Sequence, residues 1–181
     1  MPLWKRLGFL FVFVVPALMP AAAWLGVRSG HHDLMAWFPL FFLFVLLPLA
    51  DYALGHDPIN PSAQEARALE GDDWFKWMTL AALPAQLGVM TWSGWHLVHA
   101  DFGIAGTIGW LLSQGIVGGV LAINVAHELI HKDTALERTA GGLLLTSVGY
   151  HGFKIEHIRG HHVHVSTPED ASSARFGQSL W

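Results

Sequence analysis

Two long runs without a charged side chain dominate the first third of this chain, Leu7 to Val27 and Leu34 to Ala50. A helix needs about 20 predominantly apolar residues to cross the hydrocarbon core of a bilayer. The first run meets that length directly behind Lys5 and Arg6. A basic start and Ala21-Ala22-Ala23 also fit a cleavable signal peptide, but the length of the run and the apolar runs behind it favour a retained helix. The second run is shorter, and Pro39 and Pro48 are expected to kink it, as membrane helices tolerate. A third run extends from Trp77 to Val98, with Trp77 and Trp95 about 27 Å apart along a helix, so that each can sit at one interface. His96 and His99 read as polar tips at its far end. A fourth run, 103–126, carries glycines at 103, 106, 109, 115, 118 and 119, which suggest close helix contact.

The expected architecture is therefore all-α: a polytopic membrane helical bundle with spans at 7–27, 34–50, 77–98 and 103–126, then a histidine-rich region at 127–181, in one membrane domain over 1–181. Composition agrees. Only 13% of the residues are charged and 52% are hydrophobic, against about 25% charged in a soluble domain. With a net charge of −4 and no basic block, nothing here holds a nucleic-acid backbone. Cysteine is absent, which removes disulfides, thiolate zinc sites and cysteine-ligated iron–sulfur clusters. Residues 51–76 form the one long hydrophilic segment before the histidines, turn-rich at Gly55 to Pro61 and then a short helix.

Twelve histidines in so apolar a chain need a reason. His127 and His131 stand four apart, as do His157 and His161, with His162 next in line. On a helix, residues four apart share one face, so each pair can point at one metal. Neutral imidazole suits iron, zinc, copper and nickel. Five candidate ligands exceed what one tetrahedral zinc needs, which points to a multi-metal site or part of one. If the fourth span begins near Gly103, the hydrocarbon ends near Ala122, and His127 and His131 sit roughly 7 and 13 Å beyond it. The metal then lies just outside the bilayer core, where an apolar route through the membrane can feed it. Glu128, Glu156 and Asp170 are candidates to accept the free ring N–H of a ligand histidine, against the plainer reading of solvated surface carboxylates. Between the two clusters, 134–153 reads as an interfacial or half-buried helix returning the chain to the site.

Orientation follows from the basic residues. Lys5, Arg6, Arg67, Lys76 and Lys132 fall on one side if the runs alternate, and only Arg28 falls opposite. The positive-inside rule puts both termini and the histidine clusters in the cytoplasm.

The motifs resemble those of a known family. HELIHK at 127–132, EHIRGHH at 156–162 and TPEDASSARFG at 167–177 look like the first two histidine boxes, and the tract after them, of the membrane-bound alkane hydroxylases. That family is related to the xylene monooxygenases and, more remotely, to the membrane fatty acid desaturases. GHDPINP at 55–61 is similar to a loop motif of the same enzymes. The resemblance implies a non-haem di-iron monooxygenase of the bacterial cytoplasmic membrane. Such enzymes hydroxylate the terminal methyl of a medium-chain alkane with O₂, taking NADH-derived electrons through rubredoxin reductase and rubredoxin. It implies His127, His131, His157, His161 and His162 as iron ligands and leaves out His56, His151 and His164. The family also carries a third histidine box, which does not occur before Trp181, so a partial sequence is expected, inactive by itself.

Besides a related membrane hydroxylase of alkyl-aromatics, of the xylene monooxygenase type, three rivals share the residues. His127-Glu128-Leu129-Ile130-His131 is a literal HExxH, in which Glu128 would serve as general base for a zinc-bound water in a membrane metalloprotease. A desaturase would form a C=C bond on the same histidine set. A metal-binding or transport protein would need polar groups inside its spans, and the runs hold almost none.

Overall fold

The computed structural model describes residues 3–55 and 62–179, all of whose regular structure is helical. Most of GHDPINP, including His56, lies outside the described residues. Helix α1 spans Lys5–Ser29 and α2 His32–Leu54. Helix α3 is Ala63–Glu70, α4 Asp73–His99, α5 Ile104–Ile130 and α6 Ala135–Ser147. A last irregular helix, α7, covers 153–164.

Helices α1, α2 and α5 are long and apolar enough to cross a membrane. Helix α4 equals α5 at 27 residues, but Gln86 and Ser93, both buried, and the half-buried His96 make it less apolar. Local chemistry explains the irregularities. Gly30 ends α1 in the left-handed region, at φ +72°, where its amide donates to the Gly26 carbonyl. In α2, Pro48 has no N–H for the carbonyl of Phe44 and its ring would collide with it, and the turn at Phe42–Leu46 widens there to a π-helix. The expected kink thus takes the form of a widened turn. Ser62 and Glu65 close a capping box on α3, the short helix expected in the hydrophilic segment.

The connection from α4 to α5 is short, so they run antiparallel, and α6 folds back on both. Ala82, Leu121, Ala122, Ala126, Leu129, Leu144 and Leu145 are fully buried where these three meet. Gly141 permits the approach: a methyl there would stand 3.1 Å from the carbonyl oxygen of Ala126. Helix α6 buries Ala140, Leu144 and Leu145 and exposes Leu136 and Leu143, the half-buried element that its sequence led us to expect.

At the far end, α2 locks onto the start of α5. The Gly103 amide donates to Asp33 Oδ1 at 2.9 Å, Trp37 Nε1 to the Ala105 carbonyl at 3.2 Å, and Ser113 Oγ to the Ala36 carbonyl at 2.7 Å. His99 stays exposed and stacks on Trp95. His96 is not a polar tip. Its ring is half-buried, stacked on Trp92 at 5.2 Å and against Trp110 at 4.7 Å, because α5 brings Trp110 across from a distant part of the sequence.

Candidate metal centre

The site forms where α5 ends. His127 lies in its last turn, and His131 caps it just beyond Ile130. The chain turns through Asp133, and Thr134 caps α6 by accepting the Glu137 amide at 3.2 Å. Helix α6 then carries the chain back, and α7 delivers the second cluster beside the first. Lys154 Nζ ties the two by donating to the Arg138 carbonyl at 2.9 Å.

Within α7, Glu156–His161 is a π-helix. This changes which histidines face each other. A π-turn bonds residues five apart rather than four, and His157 and His162 share a face, their Nε2 atoms 3.0 Å apart. His157 Nε2 also lies 3.1 Å from His131 Nε2. His127, His131 and His157 offer ligand nitrogens that all fall within 4.8 Å of one another. Among the described residues this is the one such group of three or more metal-binding side chains.

His161, which an α-helical reading pairs with His157, turns instead to Asp170. Its Nδ1 lies 2.8 Å from Asp170 Oδ2. That carboxylate also accepts from Ser173 Oγ at 2.5 Å and the Ser172 amide at 3.0 Å. These hydrogen bonds, that of Ser173 foremost, hold the Asp170 pKa below the usual carboxylate value. Nδ1 is thereby committed to a carboxylate and Nε2 is left for a metal, the arrangement found behind most ligand histidines.

Of the other two expected carboxylates, neither hydrogen-bonds a histidine among the described residues. Glu128 Oε1 is 3.7 Å from His127 Nδ1 with its side chain 64% exposed, because its position on α5 faces aside from the cluster. Glu156 is exposed. His151 and His164 are exposed and apart from the cluster. Sequence reasoning passed over Phe153, whose ring stacks on His157 at 4.7 Å and on Tyr150 at 5.0 Å. Its place four residues before His157, on the same helical face, was the available signal.

The donor set is all imidazole. Loss of water, then the neighbouring imidazoles, push the pKa values of His131 and His157 down, so both favour the neutral form that binds metals. Two nitrogens each about 2.1 Å from one ion, at right angles, lie about 3 Å apart. The separations of His157 from His131 and from His162 match that. The residues fit a nitrogen-ligated metal such as iron or zinc.

Residues 102–181 match the Fatty acid desaturase family. The chain is 45% identical to alkane 1-monooxygenase 2 of Pseudomonas aeruginosa over 98% of its length, covering 48% of that protein. It is also 45% identical to alkane 1-monooxygenase 2 of Alcanivorax borkumensis and to alkane 1-monooxygenase 1 of P. aeruginosa, with the same share of the chain and 47% of each relative covered. The chain is a homologue of the alkane 1-monooxygenases. It spans about half the length of these alkane 1-monooxygenases.

Proposed function

We propose that the chain supplies the membrane bundle and the first two histidine clusters of a di-iron alkane hydroxylase. The observation that carries this reading is the convergence of His127, His131 and His157, with His162, at the end of an apolar helix. In this reading His127, His131, His157, His161 and His162 hold a pair of irons, and α4 is the fourth span. Iron bound there would supply what no side chain can, the activation of O₂ to attack an unactivated C–H bond.

The protein's own part is positional. Helix α5 lifts His127 and His131 to the bilayer edge. Asp170 orients His161, Phe153 packs one face of the His157 ring, and the buried surface of α5 and α6 keeps water from beneath the cluster. The substrate is an alkane of medium length, reached through the membrane. Electrons come from NADH through rubredoxin reductase and rubredoxin. The site lies on the cytoplasmic side of the bacterial inner membrane.

A second reading, desaturation of an acyl chain, has the match to the desaturase family in its favour. The intact gene product, purified with iron and given rubredoxin, reductase, NADH and O₂, should convert an alkane to its 1-alcohol. His157→Ala should lose both iron and alcohol. An olefin as the sole product would replace hydroxylation with desaturation, and full iron content in His157→Ala would remove that residue from the ligands.

A further inference from the structure

The rings of Tyr150, Phe153, His157 and His161 form one continuous column through the metal centre. Tyr150 stacks on Phe153 at 5.0 Å between centroids, Phe153 on His157 at 4.7 Å, and His157 on His161 at 5.6 Å. Successive planes differ by only 20°, 20° and 23°, so the rings meet by their faces rather than edge-on. The backbone fixes the outer end. Gly149 turns the chain after α6 in the left-handed region, at φ +72°. The Tyr150 amide then donates to the Leu145 carbonyl at 2.8 Å, and the Tyr150 carbonyl accepts the Phe153 amide at 3.1 Å. Phe153 is half-buried and packs against the core shared by α4, α5 and α6. Tyr150 is 47% exposed. The column therefore joins His157 to the surface in two ring-to-ring steps.

The rings differ in what they can give up. A phenylalanine ring has no O–H and resists oxidation, whereas a phenol can lose an electron and its hydroxyl proton together. Tyr52 is the other tyrosine of the chain and stands on α2. Among the described residues, neither its ring nor that of any tryptophan packs against the five histidines. Tyr150 is thus the one readily oxidised ring stacked into the site among those residues. An oxidant able to attack an alkane C–H bond also attacks the side chains that hold it when no alkane is in place. Suppressing such competing reactions falls to the protein.

We propose that Tyr150 is a redox-active residue that gives one electron, through Phe153 and His157, to the oxidant that iron forms with O₂ in the absence of alkane. This role rests on the di-iron reading above. The phenol O–H bond breaks: its electron reduces the iron-held oxidant by one unit, and its proton passes to water at the exposed edge of the ring. The product is a Tyr150 phenoxyl. One electron from the NADH-derived supply and one proton from water restore the phenol. Phe153 and His157 conduct the electron and end the cycle unchanged.

Tyr150→Phe tests this while keeping the column, because the ring stays and only the phenol oxygen is lost. The intact gene product, loaded with iron and reduced, is mixed with O₂ without alkane and frozen for electron paramagnetic resonance. A tyrosine phenoxyl signal should form in the unmodified protein, and its lines should narrow when ring-deuterated tyrosine is incorporated. The signal should be lost in Tyr150→Phe and kept in Tyr52→Phe, with equal iron content in all three. Peptide mapping should find added oxygen on His157 and His161 several-fold more often in Tyr150→Phe than in the unmodified protein. Absence of the phenoxyl from the unmodified protein would overturn the proposal, as would a signal undiminished in Tyr150→Phe. A parallel sample given alkane separates this outcome from the hydroxylase reading. Alcohol there, with no phenoxyl in the alkane-free sample, sinks the role of Tyr150 alone; neither iron uptake nor alcohol sinks both.

Discussion

His161 Nδ1 and Asp170 Oδ2 are 2.8 Å apart, and the Asp170 side chain is only 2% exposed. Ser172 and Ser173 hold the carboxylate from the other side, so this bond fixes one orientation of the imidazole. Loss of such a partner typically lowers metal affinity or activity about 10–100-fold. We predict a fall in that range for iron affinity in Asp170→Ala of the intact gene product, and little change for Glu156→Ala, whose carboxylate is exposed and bonds no histidine. Iron content across a series of free-iron concentrations measures both. Equal affinity in the two variants would reduce Asp170 to a fold-stabilising residue.

How much of this was legible in the sequence depends on the range of the interaction. The apolar helices were readable because a charge-free run of that length has few other places to go, and Pro48 announced a disturbance in α2 because its missing N–H acts locally. The metal cluster was readable as residue types at helical spacing. Its pairing was not, because four-residue spacing assumes an α-helix and the turn at Glu156–His161 is wider. That exchanges His161 for His162 as the near partner of His157. Asp170 stood out as a carboxylate after the second cluster, yet the two serines that pin it are meaningful only once the tract folds back. The burial of His96 against Trp110 is a contact between α4 and α5 that no local pattern encodes.

Close approach of α2 to α5 yields a stability prediction. A methyl on Gly106 would overlap the Asp33 carboxylate, whereas one on Gly115 would meet nothing within 4 Å. Overpacking a tight contact costs about 1–3 kcal/mol. Gly106→Ala should therefore lower the thermal midpoint of the detergent-solubilised chain, and Gly115→Ala should leave it level or raise it. Size-exclusion recovery after heating reads the difference. Equal midpoints would mean that α2 and α5 part easily at this end.

Orientation in the membrane is tested by fused reporters. The basic residues place the loop before α4 and the turn after α5 on one side. We predict cytoplasmic activity for reporters joined after Ser62 or Thr134 and periplasmic activity for one joined after Asp101. The reverse pattern would move the histidine cluster to the outer face, away from a cytoplasmic electron donor.

The remaining prediction separates oxygen insertion from peptide hydrolysis, and it rests on Glu128. In an HExxH protease this carboxylate activates the metal-bound water, so Glu128→Gln keeps the metal and loses activity by orders of magnitude. Here the Glu128 side chain is 64% exposed and 3.7 Å from His127 Nδ1, beyond hydrogen-bonding distance. Four imidazoles crowd the centre where a zinc hydrolase needs three ligands and an open position. Under the hydroxylase reading the oxidant derives from O₂, and no step requires Glu128 as a base. We predict that Glu128→Gln in the intact gene product keeps measurable alkane hydroxylation while His131→Ala keeps none, with alcohol measured by chromatography in the presence of rubredoxin, reductase and NADH. Complete loss in both, with iron retained in Glu128→Gln, would assign this carboxylate a direct part in the chemistry.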